Sequence, residues 1–414
     1  MDLDTFQMLL TDEGQAVLAA VGDCDPVTWP ATLTALRWDH PAQLVTAAIE
    51  QVRLRQEAEA KFGAQARRMY FTREGLERAS HWEVAEYKLG RVLDEMGVVF
   101  LDVFDLGVGA DALALGSGHA VTAVDSDPLN VAITTANGEA LDALSMMWIK
   151  QQDLTAYRPR GEAVFIDLMQ WGAPVGGTGA QAGAPSPLAW ALDTVRAMGA
   201  GSIRLSPEVP YGSMPEGRGA DEAEWISWEG EVQEAVLWWW YGEMNPAVRA
   251  PRRATLLPGG ATLVGRGLAD PAVRPPGRYV YEVDAAVVRA GLVAEVAEDV
   301  GGGVLDAAVP ACVTSDEAHA TPFATAYEII EALPFESAGS AVLLRGREVG
   351  ELTVLQHGCA AEAAELRRAF VPGGAGAATV FLTRVAGEPT LLLVRPATDP
   401  QAALPSRNRT SPPS

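Results

Sequence analysis

The sequence predicts an α/β protein: a Rossmann-like parallel sheet finished by an antiparallel hairpin, with a helical N-terminal domain and a small α+β module at the C-terminus. Three observations carry this. Short apolar runs near 98–105, 120–125, 146–150, 163–167 and 201–205 alternate with helical segments, as parallel strands covered on both faces do. Residues 223–228 and 235–240 follow each other too closely for a crossover and can pair only as a hairpin. Residues 350–395 read strand, helix, strand, tight turn, strand. The expected domains are 1–95 (helical), 96–267 (Rossmann-like), 268–396 (α+β) and a disordered tail, 397–414.

At the start of the chain, Leu9, Leu10, Val17 and Leu18 recur at helical spacing. Residues 41–60 contain no breaker after Pro41, and Leu44, Ala47, Ala48, Val52 and Leu54 supply an apolar face. Thr72 is placed to cap a short helix that includes Leu76. The Gly/Ala/Pro-rich stretch 172–187 is expected to be a mobile loop, and 268–277 to be irregular. Residues 285–298 look helical, and Pro322 suits the first turn of a helix running to Leu333. A helix over 360–370, strands over 350–355, 378–385 and 390–395, and a turn at 387–389 complete the reading; there is no internal repeat.

The chain has 414 residues, 48% of them apolar, and a formal charge of -23. A core is therefore available, and unspecific adhesion of the whole surface to nucleic acid or anionic membrane is disfavoured. Cys24, Cys312 and Cys359 have no metal-ligand spacing and read as free thiols of a reducing compartment. No basic-then-apolar leader and no bilayer-length apolar run are evident, so a soluble cytoplasmic protein is expected. The histidines, His40, His81, His119, His319 and His357, are scattered and indicate neither a metal site nor a catalytic triad.

The chemistry concentrates in the stretch from Val98 to Asp127. Gly107 and Gly109 allow a sharp turn and a close ligand approach after the first strand. Asp125 ends the next strand, where a carboxylate can accept ribose hydroxyls. Gly107, Gly109, Ala112 and Asp125 also suit a nicotinamide dinucleotide. Asp105, placed to hold an ammonium, Asp153 after the third strand, placed to bind an adenine amino group, and the hairpin favour S-adenosylmethionine instead.

With these residues in place, the chain resembles a bacterial family of class I S-adenosylmethionine-dependent methyltransferases carrying a C-terminal THUMP-like domain. The resemblance rests on residues 61–79 (KFGAQARRMYFTREGLERA), 118–129, 223–238, 277–293 and 321–335. It implies a Rossmann-like methyltransferase sheet, a THUMP-like module and RNA as substrate. Asp105, Gly107, Gly109, Asp125 and, less directly, Asp153 carry over as cofactor contacts.

Three departures accompany the resemblance. The glycine turn is two residues shorter than the family's pattern. Asp167-Leu168-Met169-Gln170-Trp171 stands where relatives carry Asp-Pro-Ala-Arg-Arg, and Leu355–Gly358 replaces a basic stretch. Asp167 is the candidate to orient or deprotonate a methyl acceptor. Trp171 is placed either to stack on a base or to cover the core. RNA is expected to meet the basic residues of 51–78, unless these merely form a solvated helix surface. Residues 230–234 are expected to form a structural hairpin turn, the alternative being that they bring carboxylates to the sheet rim. A catalytically silent binding or scaffold protein is the alternative, and an NAD-dependent oxidoreductase stands third.

Overall fold

The computed structural model describes residues 1–22, 29–104, 106–169, 187–209, 220–240 and 252–397. The expectations for Cys24, Asp105, Trp171, the loop over 172–187 and the tail beyond 397 therefore fall wholly or almost wholly outside the described residues. The described chain divides into two compact units, 1–209 with 220–222 and 233–240, and 223–232 with 252–397.

The first unit begins with helices α1 (Leu3–Leu10), α2 (Asp12–Val21), α3 (Trp29–Asp39), α4 (Ala42–Phe62), α5 (Arg73–Arg78) and α6 (Trp82–Arg91). Their starts follow capping chemistry: Asp2, Thr11 and Thr72 accept backbone N–H bonds from Thr5, Gly14 and Gly75. The predicted face of α4 is buried, from Leu44 through Val52 and Leu54 to Phe62.

Next come β1 (Phe100–Phe104), α7 (Ala110–Gly116), β2 (Ala120–Asp125), α8 (Pro128–Ala140), β3 (Met147–Gln151), β4 (Ala163–Asp167), α9 (Pro187–Met198), β5 (Gly201–Leu205), β6 (Glu222–Trp228) and β7 (Glu231–Trp239); of these, 223–232 count with the second unit. In this unit the strand order is β3-β2-β1-β4-β5-β7. All pairs are parallel except β5 with β7, which is antiparallel. The hairpin reversal needs only Glu229 and Gly230, at φ 50° and 86°, the left-handed geometry of two-residue hairpin turns. The turn is thus shorter than 230–234, and Glu234 sits inside β7. Trp238 and Trp239 are both fully buried, as tryptophans in a doubly covered strand should be.

Two buried amides tie the helices to the sheet. The Gln51 side chain donates to Phe71 C=O at 2.5 Å and accepts from Phe71 N–H at 3.0 Å. Asn137 of α8 does the same for Tyr70, at 3.1 and 2.6 Å, and also donates to Val108 C=O at 2.9 Å. Residues 69–71 run with no helix or strand partner, and these side chains replace the missing ladder. Val108, Ala110, Ile133 and Ala136 share one apolar core with α1, α2 and α4.

The second unit contains β8 (Arg252–Leu257), β9 (Ala261–Val264), β10 (Tyr279–Val283), α10 (Ala285–Arg289), α11 (Val293–Asp299), β11 (Gly303–Val304), β12 (Cys312–Ser315), β13 (Ala324–Pro334), α12 (Ser337–Gly346), β14 (Val349–Gln356), α13 (Ala360–Ala369), β15 (Gly376–Val385) and β16 (Glu388–Pro396). Its large sheet has the order β11-β12-β10-β13-β16-β15-β14. The helix expected from Pro322 to Leu333 is instead the eleven-residue strand β13. Hydrogen bonding on both edges decides the matter: β10 pairs with one side and β16 with the other. Thr325, Tyr327, Ile329 and Ile330 are strand formers, and that pairing overrides the helical spacing. The remaining C-terminal elements match the predicted strand, helix and hairpin, and α12 and α13 cover a core around Leu344, Leu366 and Val380. Cys312 and Cys359 are buried free thiols.

Candidate active site

The predicted glycine turn lies at the C-terminal end of β1. Gly107 and Gly109 have φ of 53° and 84°, and Gly109 N–H closes the turn on Leu106 C=O at 2.7 Å. A Cβ on Gly109 would come within 2.7 Å of Thr134 Cγ2, so this glycine lets α7 approach α8. Asp125 is brought to the turn as expected. Its carboxylate is 2% exposed and accepts from Leu106 N–H at 2.8 Å, Asp127 N–H at 2.7 Å and Asn130 Nδ2 at 3.1 Å. The side chain therefore fixes the turn from below. Asp153 stands apart, exposed, with its carboxylate accepting from the Thr155 side chain and N–H, which hold it below the usual carboxylate range.

Asp167 ends β4 beside the turn. Arg204 Nη1 contacts its Oδ2 at 2.7 Å, and Met169 N–H donates to Oδ1 at 2.8 Å. Arg204 of β5 also holds Glu234 Oε2 through Nε at 2.6 Å and donates to Arg78 C=O at 2.9 Å. Lys88 of α6 sits between Glu234 Oε1 and Asp111 Oδ1, 2.7 Å from each. Ser80 donates to Glu234 at 2.8 Å and accepts from Lys88 at 3.1 Å. Two cations and three carboxylates thus form one cluster over the ends of β1, β4 and β5. Burial pushes the Asp167 carboxyl up, Asp111 adds to the rise, and Arg204 opposes it. Burial acts on Glu234 in the same sense, but Lys88 and Arg204 outweigh it and hold Glu234 down at about 2.

The cavity bounded by Gly107, Asp111, Asp167, Lys88 and Arg204 has a volume of about 30 Å³. That is room for about two waters at roughly 10–15 Å³ each, against about 300 Å³ or more for a small-molecule site. Asp125 and Asp153 do not line it. For S-adenosylmethionine the fit is uneven. A carboxylate stands beside the glycine turn where a ribose would be read, but its bonds are already made within the chain. Lys88, Arg204 and their acids leave only this small cavity beside the turn, and it does not accommodate the cofactor in this conformation.

Most of the basic residues of 51–78 are engaged: Arg73 with Glu57, Arg67 with Glu59, Arg78 with Glu74, and Arg68 with Asp142. Lys61 donates to the carbonyls of Leu76, Glu77 and Ala79. His357 stacks on Phe381 and faces Glu282 at 3.4 Å. Among the described residues there is no cluster of metal-ligating side chains, and no helix is long and apolar enough to cross a membrane.

Sequence reasoning missed Lys88, Arg204 and Ser80 and found only the presence, not the role, of Glu234. The available signal was a charge inside each apolar strand run: Arg204 in Gly201–Leu205 and Glu234 before Ala235.

Comparison with known proteins agrees with this architecture. A domain of unknown function (DUF8688) matches residues 2–58, and the THUMP domain-like family matches 324–396. Two uncharacterized S-adenosylmethionine-dependent methyltransferases of Mycobacterium tuberculosis, from strains CDC 1551 and H37Rv, are 32% identical over 164 residues. That match covers 40% of this chain and 44% of each relative, so the chain spans less than half the length of these relatives in the match. A crystal structure of a methyltransferase candidate from Porphyromonas gingivalis W83 superposes with a TM-score of 0.68 at 20% identity, over 87% of this chain and 92% of that one. The chain has the methyltransferase fold with a THUMP-like C-terminal domain, and its relatives are S-adenosylmethionine-dependent methyltransferases.

Proposed function

We propose that the chain is a divergent S-adenosylmethionine-dependent methyltransferase directed at RNA, with methyl transfer weakened by the small cavity beside its glycine turn. The observation that carries this reading is the seating of Asp125 against the Gly107–Gly109 turn within the sheet order described above. Similarity to S-adenosylmethionine-dependent methyltransferases supports the cofactor, and the THUMP-like domain supports the RNA. Asp167 is the residue nearest in role to an acceptor base, though Arg204 must release it first.

The ion cluster favours a second reading, a catalytically silent binding or scaffold protein. The THUMP-like domain bears on RNA affinity in either case. Residues 324–396 hold six arginines and no lysine against eight glutamates. Glu328 takes up Arg278 and Arg395, and Glu331 takes up Arg347. Few cations are left to release counterions, so the grip on phosphate is weak.

Calorimetric titration with S-adenosylmethionine, paired with methyl incorporation into total RNA, tests the proposal. Binding and incorporation that both fall in Asp125→Ala support it. No heat at millimolar cofactor and no incorporation leave the silent protein as the correct reading.

A further inference from the structure

A second candidate site lies in the helical region. A groove of about 280 Å³ runs between α2 and α4, lined by Gln15, Leu18, Val52, Arg55, Gln56 and Arg67, among others. Val52, Arg55, Gln56 and Glu59 stand three and four residues apart along α4, so one helix face forms this wall.

Arg55 is the unusual member. It is half-buried, its Nε donates to Met69 C=O at 2.7 Å, and its guanidinium carbon lies 4.7 Å from the centre of the Tyr70 ring. Among the described residues no carboxylate pairs with it, in a chain where acids outnumber bases 54 to 31. Arg67, on the same groove, is matched by Glu59 at 2.7 Å. Burial pushes the Arg55 guanidinium below its usual range, and only the Tyr70 side chain opposes that shift. The Tyr70 ring and the bond to Met69 C=O fix the position of the guanidinium, whose remaining N–H groups can meet an oxyanion in two-point fashion.

We propose that this groove is a binding site for a phosphate group, with Arg55 as its anchor and Gln56 at its rim. The space admits a phosphate with an attached sugar, so the group can come from a free phosphate compound or from an RNA backbone. This goes beyond the methyltransferase reading, because the groove lies in the helical region and shares no lining residue with the cavity at Gly107.

The test uses the full-length chain, titrated with inorganic phosphate and, separately, with a short oligouridylate, followed by calorimetry and by the NMR signal of arginine Nε–H groups. Wild type is expected to bind at least one of these with a shift of the Arg55 signal. Arg55→Met should weaken that binding at least tenfold. Since Arg55 also packs on Tyr70, Gln56→Glu supplies a second arm. Gln56 is exposed, so a carboxylate there leaves the packing intact and should weaken binding several-fold by repulsion. Oligouridylate binding that inorganic phosphate competes away assigns the site to RNA backbone; binding of inorganic phosphate alone assigns it to a small phosphate compound. The proposal is overturned if wild type binds neither probe, or if both variants bind as wild type does.

Discussion

Replacing Glu234 by Gln keeps the shape of the buried cluster and removes the charge that Lys88 and Arg204 share. Three contacts are at stake: Lys88 at 2.7 Å, Arg204 at 2.6 Å and Ser80 at 2.8 Å. Glu234 is wholly buried, and the adjoining cavity has room for only about two waters, too few to replace a carboxylate held by both cations. Removing one partner of a buried ion pair costs about 3–5 kcal/mol, and roughly 1 kcal/mol moves the melting temperature of a unit of this size by about 2–4 °C. The variant should therefore melt roughly 10 °C lower near neutral pH. Glu234 is held at about 2 against an ordinary value of 4.5. Its stabilisation is complete above the ordinary value and is lost as pH falls toward 2, so the gap between wild type and variant should narrow across that window. In a double-mutant cycle with Lys88→Met, the pair should cost less than the sum of the single changes by at least about 1 kcal/mol. Calorimetric melting across pH measures all of this. A Glu234→Gln protein that melts within about 2 °C of wild type at neutral pH would show that the buried ion pairs contribute little to stability.

Four further outcomes are expected. His81 is pushed down to about 4, from an ordinary 6.5, by burial and by the nearby Lys61. The unfolded chain takes up the proton first, so stability should fall as pH drops from 6.5 toward 4; an NMR titration midpoint at the ordinary histidine value would contradict this. Asn137→Leu leaves the Tyr70 N–H and the Tyr70 and Val108 carbonyls without partners and should cost about 3 kcal/mol or more by urea unfolding. Gly109→Ala meets Thr134 and a φ of 84°, so it should destabilise by about 1–3 kcal/mol, and Thr134→Ala should recover only part of the loss. Oligoribonucleotide affinity should fall only slightly with added salt, because few phosphates are neutralised; a steep salt dependence would overturn the weak-grip argument.

Local patterns were legible in the sequence, and assembled ones were not. The five predicted strands of the parallel sheet, the hairpin, the α4 face and the Thr72 cap each depend on residues within a few positions of one another. The positions of the glycine turn and of Asp125 belong with them, since both are set by one strand-turn-helix-strand stretch. β13 was misread because its character is set by β10 and β16, whose edges no local window contains. The four-residue strands 261–264 and 312–315 are too short to announce themselves. The ion cluster draws Ser80, Lys88, Asp111, Asp167, Arg204 and Glu234 from six separate elements or loops, so no spacing in the chain reports it. Asp125 was correctly placed, but its bonds to Leu106, Asp127 and Asn130 could not be foreseen from its position.

The clamps made by Gln51 and Asn137 on residues 70 and 71 consist of neutral amides alone. A joint built this way does not titrate and is not screened. Acid or brine that loosens the charged knot around Glu234 should leave the helical half seated on the sheet, and the two should part only when the chain unfolds.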